Sequence, residues 1–162
     1  SEMCIRDRGI HNHPGACLGY RLEIDDFTFC YVTDHELFLE NHPQYSHAYF
    51  EKLVNFVSDA SVLVTDTTYS DSEYLTKVGW GHSSVGRIVD LSHEAGVKNL
   101  CLFHHDPAQR DIEIDRKLEV ASKMLRKKSS STHVLAPAQS SSILFANGEV
   151  AIDPKAKSKK VA

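Results

Sequence analysis

The stretch Asn99 to Pro107, NLCLFHHDP, limits what this chain can fold into more than any other. Leu100, Cys101, Leu102 and Phe103 form an unbroken apolar run bounded by Gly96 and Pro107, the pattern of a short, fully buried strand. The run stops abruptly at His104 and His105. Open α/β sheets place their ligands at the carboxyl ends of such strands. Taken alone, an HH pair is more often a hydrogen-bonded strand terminus than a ligand set, so other parts of the chain have to decide.

Upstream, Leu18, Tyr20, Leu22 and Ile24 alternate as one face of a strand, Asp25-Asp26 makes a turn, and Phe27 to Val32 returns as the partner. Tyr49, Phe50, Leu53, Val54 and Val57 recur at helical spacing. Ala60 to Val64 reads as a strand ending in Thr65, Asp66 and Thr67, and Tyr69 to Tyr74 as a polar loop. Either Ser83 or Ser84 can cap a helix through Val85, Ile88, Val89 and Ser92, which Gly96 ends. Beyond the central strand a further helix carries Ile114, Leu118, Ala121 and Leu125 on one face.

The ends of the chain are less patterned. Ser1 to Ile10 has neither clear periodicity nor a cap signal, and Lys127 to Thr132 reads as a flexible link. Short strands are expected at His133 to Leu135 and across Ile143 to Ile152, the latter turned by Asn147-Gly148. The lysine-rich tail, residues 153–162, has nothing to bury and is expected to be disordered.

A formal net charge of −4 gives no general reason to expect nucleic acid, but ten histidines make metal or proton chemistry worth pursuing. Cys4, Cys17, Cys30 and Cys101 contain no CxxC pair and read as buried free thiols in a reducing compartment. No apolar stretch approaches the roughly 18 residues of a membrane span, and no signal peptide is evident, so the expected location is cytoplasmic.

Residues able to bind metal or move protons recur where strands begin or end: His13, Asp34, Asp66, and His104 with His105. His82 lies in a Gly-rich turn just before a helix. Strand ends can converge on one rim of a sheet. Imidazole and carboxylate donors without cysteine suit zinc, manganese or iron, and a hydrolytic site better than a structural one. His11, His35 and His42 read as surface or outer positions, and His47 and His93 as ordinary helix residues.

The segments HPGACLGYRLE, FCYVTDHE, LVTDTTY, GWGHSS and NLCLFHHDP, in that order, resemble the metallo-β-lactamase superfamily. Within it they are most similar to the phosphodiesterase-like branch that includes ribonuclease Z and cyclic-phosphate hydrolases. The resemblance implies His13 as a ligand of one metal, Asp34 as the carboxylate bridging two metals, and His104 as a ligand of the second, with His105 as its register alternative. It implies Asp66 and His82 as the acid and histidine that help protonate the leaving group. Two divalent ions, zinc foremost and manganese or iron next, would hold a bridging hydroxide that attacks a phosphodiester.

The superfamily's HxHxDH motif has no counterpart here. The expected architecture is therefore α/β, the C-terminal half of a four-layer αββα sandwich, with residues 1–12 unmatched and 13–152 forming the partial domain. His13, Asp34 and His104 are too few to complete two metal sites, so the chain alone is expected to bind metal weakly and to have little activity. Half a sandwich leaves an inner sheet face open, which predicts aggregation or self-association. A small phosphodiester or cyclic phosphate is favoured over RNA by the acidic charge, and no membrane partner is expected. The rival reading is a non-catalytic α/β interaction module with structural histidines.

Overall fold

Six strands form one sheet whose spatial order follows the chain: β1 (Met3–Ile10), β2 (Cys17–Ile24), β3 (Phe27–Val32), β4 (Val62–Asp66), β5 (Asn99–Phe103) and β6 (His133–Leu135). The computed structural model describes residues 3–10, 12–138, 140–146 and 149–153. β1, β2 and β3 pair antiparallel, whereas β3 to β6 run parallel. Parallel neighbours need crossover connections. These are α1 (His47–Phe56), then α2 (Asp71–Tyr74) with α3 (Val85–Glu94), then α4 (Asp111–Lys127). Because β3, β4 and β5 point the same way, the residues that follow them, including Asp34 and His104, emerge on one rim with Asp66.

The helices cover one face. Cys30, Val32, Leu63, Leu100 and Leu102 point from the strands into a core with Phe50, Leu53, Ile88, Leu91, Ala121 and Leu125. On the opposite face Val62, Val64 and Cys101 are buried under a separate two-stranded sheet, β7 (Ser142–Ala146) with β8 (Glu149–Asp153), through Ile143 and Val150. That cover stops short of the antiparallel end. Met3, Ile5, Leu18, Tyr20 and Ile24 share the uncovered face and are exposed. The alternation in β2 therefore marks a real apolar face, but its outward side is the apolar one and Arg21 turns toward the helices, donating to Phe56 O and Ser58 O, each at 3.0 Å.

Several expectations need correction. The unpatterned stretch Ser1 to Ile10 contains β1, an edge strand held by its ladder to β2. Tyr69 to Tyr74 contains a short helix, α2, closed by a capping box between Ser70 and Glu73. The central strand is not buried throughout, since Phe103 is 43% exposed. The Lys127 to Thr132 link is tied down: Ser130 N donates to Leu125 O at 3.0 Å and Thr132 Oγ1 to Val97 O at 2.7 Å. Of the four free cysteines, Cys30 and Cys101 are buried, Cys17 is half-buried and Cys4 is exposed. Of the two places left open for His35, the surface or a position behind the site, it takes the second, being fully buried. His11, the Asn147-Gly148 turn and residues 154–162 lie outside the described residues. Among the described residues no helix is long and apolar enough to cross a membrane.

Candidate metal centre

Three loops leave the carboxyl ends of β3, β4 and β5 and meet a fourth segment, Asn12 to Gly15, that leads into β2. They bring five of the six singled-out residues together. Ligand atoms of His13, Asp34 and His82 lie within 4.8 Å of one another, and so do those of Asp66, His82 and His104. The sixth residue, His105, turns away and accepts a 2.8 Å hydrogen bond at Nδ1 from Lys117 Nζ. Burial and the Lys117 ammonium hold its pKa down to about 4.

Asp34 and His104 face each other, with Oδ1 and Nε2 3.1 Å apart. Both residues have backbone φ in the left-handed region, 54° and 56°, which costs a non-glycine residue about 1–2 kcal/mol. Asp25, Asp59, Ser129 and Ser140 share this conformation away from the centre, so at Asp34 and His104 it marks the sharp turns that end the strands. Thr68 supplies part of the constraint: its hydroxyl is 2.6 Å from His104 O and 3.2 Å from His104 Nδ1. At 3.1 Å, His104 Nε2 and Asp34 Oδ1 are close enough to share either a proton or a cation.

Asp66 is fully buried at the end of β4. Its Oδ1 accepts from Thr68 N at 3.0 Å and lies 2.7 Å from the Thr68 hydroxyl, while Oδ2 is 2.7 Å from His82 Nδ1. Burial pushes the Asp66 carboxyl up, but the hydrogen bonds from His82 and Thr68 and the nearby imidazoles outweigh it, leaving the group below its ordinary value. The same bond raises the His82 imidazole above its ordinary value against the effect of burial. The His82 ring stacks on His104 at 4.9 Å and meets His13 edge-on at 5.6 Å. With Nδ1 committed to Asp66, His82 Nε2 has no hydrogen-bond partner among the described residues and is the nitrogen placed to exchange a proton.

The donor chemistry fits a divalent cation: the groups His13, Asp34 and His82, and Asp66, His82 and His104, each offer two imidazoles and a carboxylate, donors that suit an open rather than a closed zinc site. The 3.1 Å between Asp34 Oδ1 and His104 Nε2 is close to the ~3.3 Å that separates neighbouring donors around a tetrahedral zinc.

A family model described as a β-lactamase superfamily domain matches residues 4–105, a span that contains every residue of this centre. The chain belongs to that superfamily. Two ribonuclease Z sequences are similar to it, 36% identical over 63 residues in Thermoplasma volcanium and 34% over 71 residues in Brevibacillus brevis. Those alignments cover 38% and 43% of this chain but only 20% and 22% of the relatives. The metallo-β-lactamase fold protein YhfI from Bacillus subtilis superposes on 93% of the chain with a TM-score of 0.63 at 16% identity. The human short-form tRNase Z superposes on 67% with a TM-score of 0.50, also at 16% identity. The chain spans about half the length of YhfI, 49%. The mixed α/β architecture is that of the metallo-β-lactamase fold, to whose family the sequence motifs had pointed.

Sequence reasoning missed Thr68, Glu36 and Lys117. Lys117 is buried on α4, and its Nζ donates to Thr67 O at 2.8 Å and Gln109 Oε1 at 2.7 Å as well as to His105. It joins the loop after β4 to the loop after β5. The signal was its place four residues before Ala121 on the buried stripe of α4. His35, also buried, has Nε2 3.0 Å from Thr65 Oγ1 and is held to about 4 by burial.

Proposed function

We propose that this chain carries part of the catalytic centre of a metal-dependent hydrolase acting on phosphodiester bonds. His13 would hold one metal and His104 a second, with Asp34 serving both, zinc in the first instance, and His82 paired with Asp66 would handle the proton. The observation that carries the reading is the His82–Asp66 pair at 2.7 Å, stacked against the His104 ring that faces Asp34. A divalent cation bound there supplies a Lewis acid that lowers the pKa of an adjacent water and offsets charge on phosphoryl oxygens.

The residues of the chain supply the rest. Asp66 orients the His82 ring and keeps it basic, so that Nε2 can pass a proton to a leaving oxygen. His13, Asp34 and His104 alone would not complete two such metal sites, which would need further donors. Phosphodiester bonds are the chemistry shared by the ribonuclease Z relatives and by small cyclic phosphates, and either class of substrate fits the reading.

Zinc content after purification and dialysis tests it, with His13→Ala, Asp34→Ala and His104→Ala beside the parent. The expected result is weak zinc binding that each substitution lowers further, with little hydrolysis of a chromogenic phosphodiester or of a short RNA by this chain alone. No metal above background, with all three variants indistinguishable from the parent, would favour the non-catalytic module.

A further inference from the structure

Glu36 lies two residues beyond Asp34 and is 1% exposed, with no ion-pair partner among the described residues. Its charge is met by neutral donors. Oε1 accepts from the Tyr74 hydroxyl at 2.6 Å and from Gly79 N at 2.8 Å, and Oε2 accepts from Gly81 N at 2.9 Å. The Gly79-Trp80-Gly81 turn wraps the carboxylate, and both glycines have φ near +86° (85° and 87°), a conformation other residues rarely adopt. The main chain of Glu36 is engaged as well: its N donates to Asn12 O at 3.1 Å and its O accepts from Asn12 Nδ2 at 2.9 Å.

These bonds reach all three members of one donor group. Asn12 precedes His13, Gly81 precedes His82, and Asp34 is on the same loop as Glu36. The segments are also pressed together, because a Cβ added at Gly81 would come within 2.6 Å of His13 Cδ2 and 2.7 Å of Pro14 Cδ. We infer that the Glu36 carboxylate is the positioning group that sets His82 against His13 and Asp34, by tying the Gly79–Gly81 turn to the loop after β3, whose main chain at the same residue holds the Asn12 segment. The inference rests on the metal-centre reading only for its affinity readout. A carboxylate is required because three donors converge on two oxygens. A glutamine would have one acceptor and would turn an NH2 group toward N–H or O–H donors.

The test is Glu36→Gln in the full chain, with Glu36→Asp as a second variant that keeps the charge but withdraws it by one methylene. Three readouts are taken: far-ultraviolet circular dichroism, the nuclear Overhauser contact between the His13 and His82 rings, and zinc affinity by competition with a chromophoric chelator. Each variant that folds is expected to lose the ring contact, and zinc affinity to fall 10- to 100-fold, the usual effect of removing a group that orients a ligand. A folded Glu36→Gln chain that keeps the ring contact, or binds zinc within threefold of the parent, overturns the inference.

Hydrogen exchange in the parent decides the case in which neither variant folds. The Gly79 and Gly81 amides are expected to be protected, and exchange at the rate of an open loop would overturn the inference. A parent that binds no zinc, yet whose ring contact depends on Glu36, would sink the metal-centre reading and leave the positioning role standing.

Discussion

The two faces of the six-stranded sheet are built from equally apolar residues and end in different states. On the helical face Leu63, Leu100 and Leu102 are at most 1% exposed, packed under α1, α3 and α4. On the other face the parallel strands lie under β7 and β8, but Met3 and Ile5 of β1 remain 61% and 57% exposed beside Leu18, Tyr20 and Ile24 of β2. Apolar alternation reports that a face can be buried. It does not report what buries it. The helical face also encloses Lys117 and His35, both buried beside the candidate centre.

The largest effect that sharpens this contrast is a cavity on the covered face. Leu63→Ala should lower the unfolding free energy by about 3–4 kcal/mol, read as a lower denaturant midpoint at an unchanged slope. A loss below about 1 kcal/mol would mean that the helical layer is loosely packed, and the contrast between faces would fail.

Next comes the buried ammonium. Burial lowers Lys117 to about 8 from an ordinary value of 10.5. Between those values the unfolded chain is protonated and the folded chain is not, so the contribution of Lys117 to stability rises with pH from about 8 to 10.5 and is lost as pH falls through that window. The buried thiols Cys30 and Cys101, raised to about 11 and 12, act in the opposite sense above pH 9. The difference between the parent and Lys117→Met isolates the lysine. That difference should shift in the parent's favour by on the order of 2–3 kcal/mol between pH 8 and pH 10.5. A pH-independent difference would mean that water reaches Nζ.

How much of this was legible in the sequence follows the same division. The order of β2, α1, β4, α3, β5 and α4 could be read because each carries an apolar pattern of its own period, an alternation in β2, unbroken runs in β4 and β5, and a helical stripe in α1, α3 and α4. β1 could not, since MCIRDRGI is an edge strand that needs only one ladder and buries little; at four residues α2 is too short for any period. The convergence of His13, Asp34, Asp66, His82 and His104 was legible because parallel strands deliver their ends to one rim. The choice between His104 and His105 was not. Alternation along β5 ends at Phe103, and the left-handed backbone at His104 breaks the register that would say which ring turns inward. Glu36 and Lys117 were invisible for a different reason. Charged residues usually lie in water, and only the hydrogen-bond partners supplied by distant segments make their burial tolerable.

The smallest expected effect probes the open face. Ile5→Thr keeps the β-branched shape that suits a strand, so the ladder to β2 at Leu22 should persist. Because Ile5 is already 57% exposed, little apolar area is lost from the folded state, and stability should change by less than about 0.5 kcal/mol. Exposed contiguous apolar surface promotes association, so light scattering at high protein concentration should fall even though stability does not. A destabilisation comparable to Leu63→Ala would show that something covers Ile5 in solution, and the two faces would then differ only in the identity of their cover.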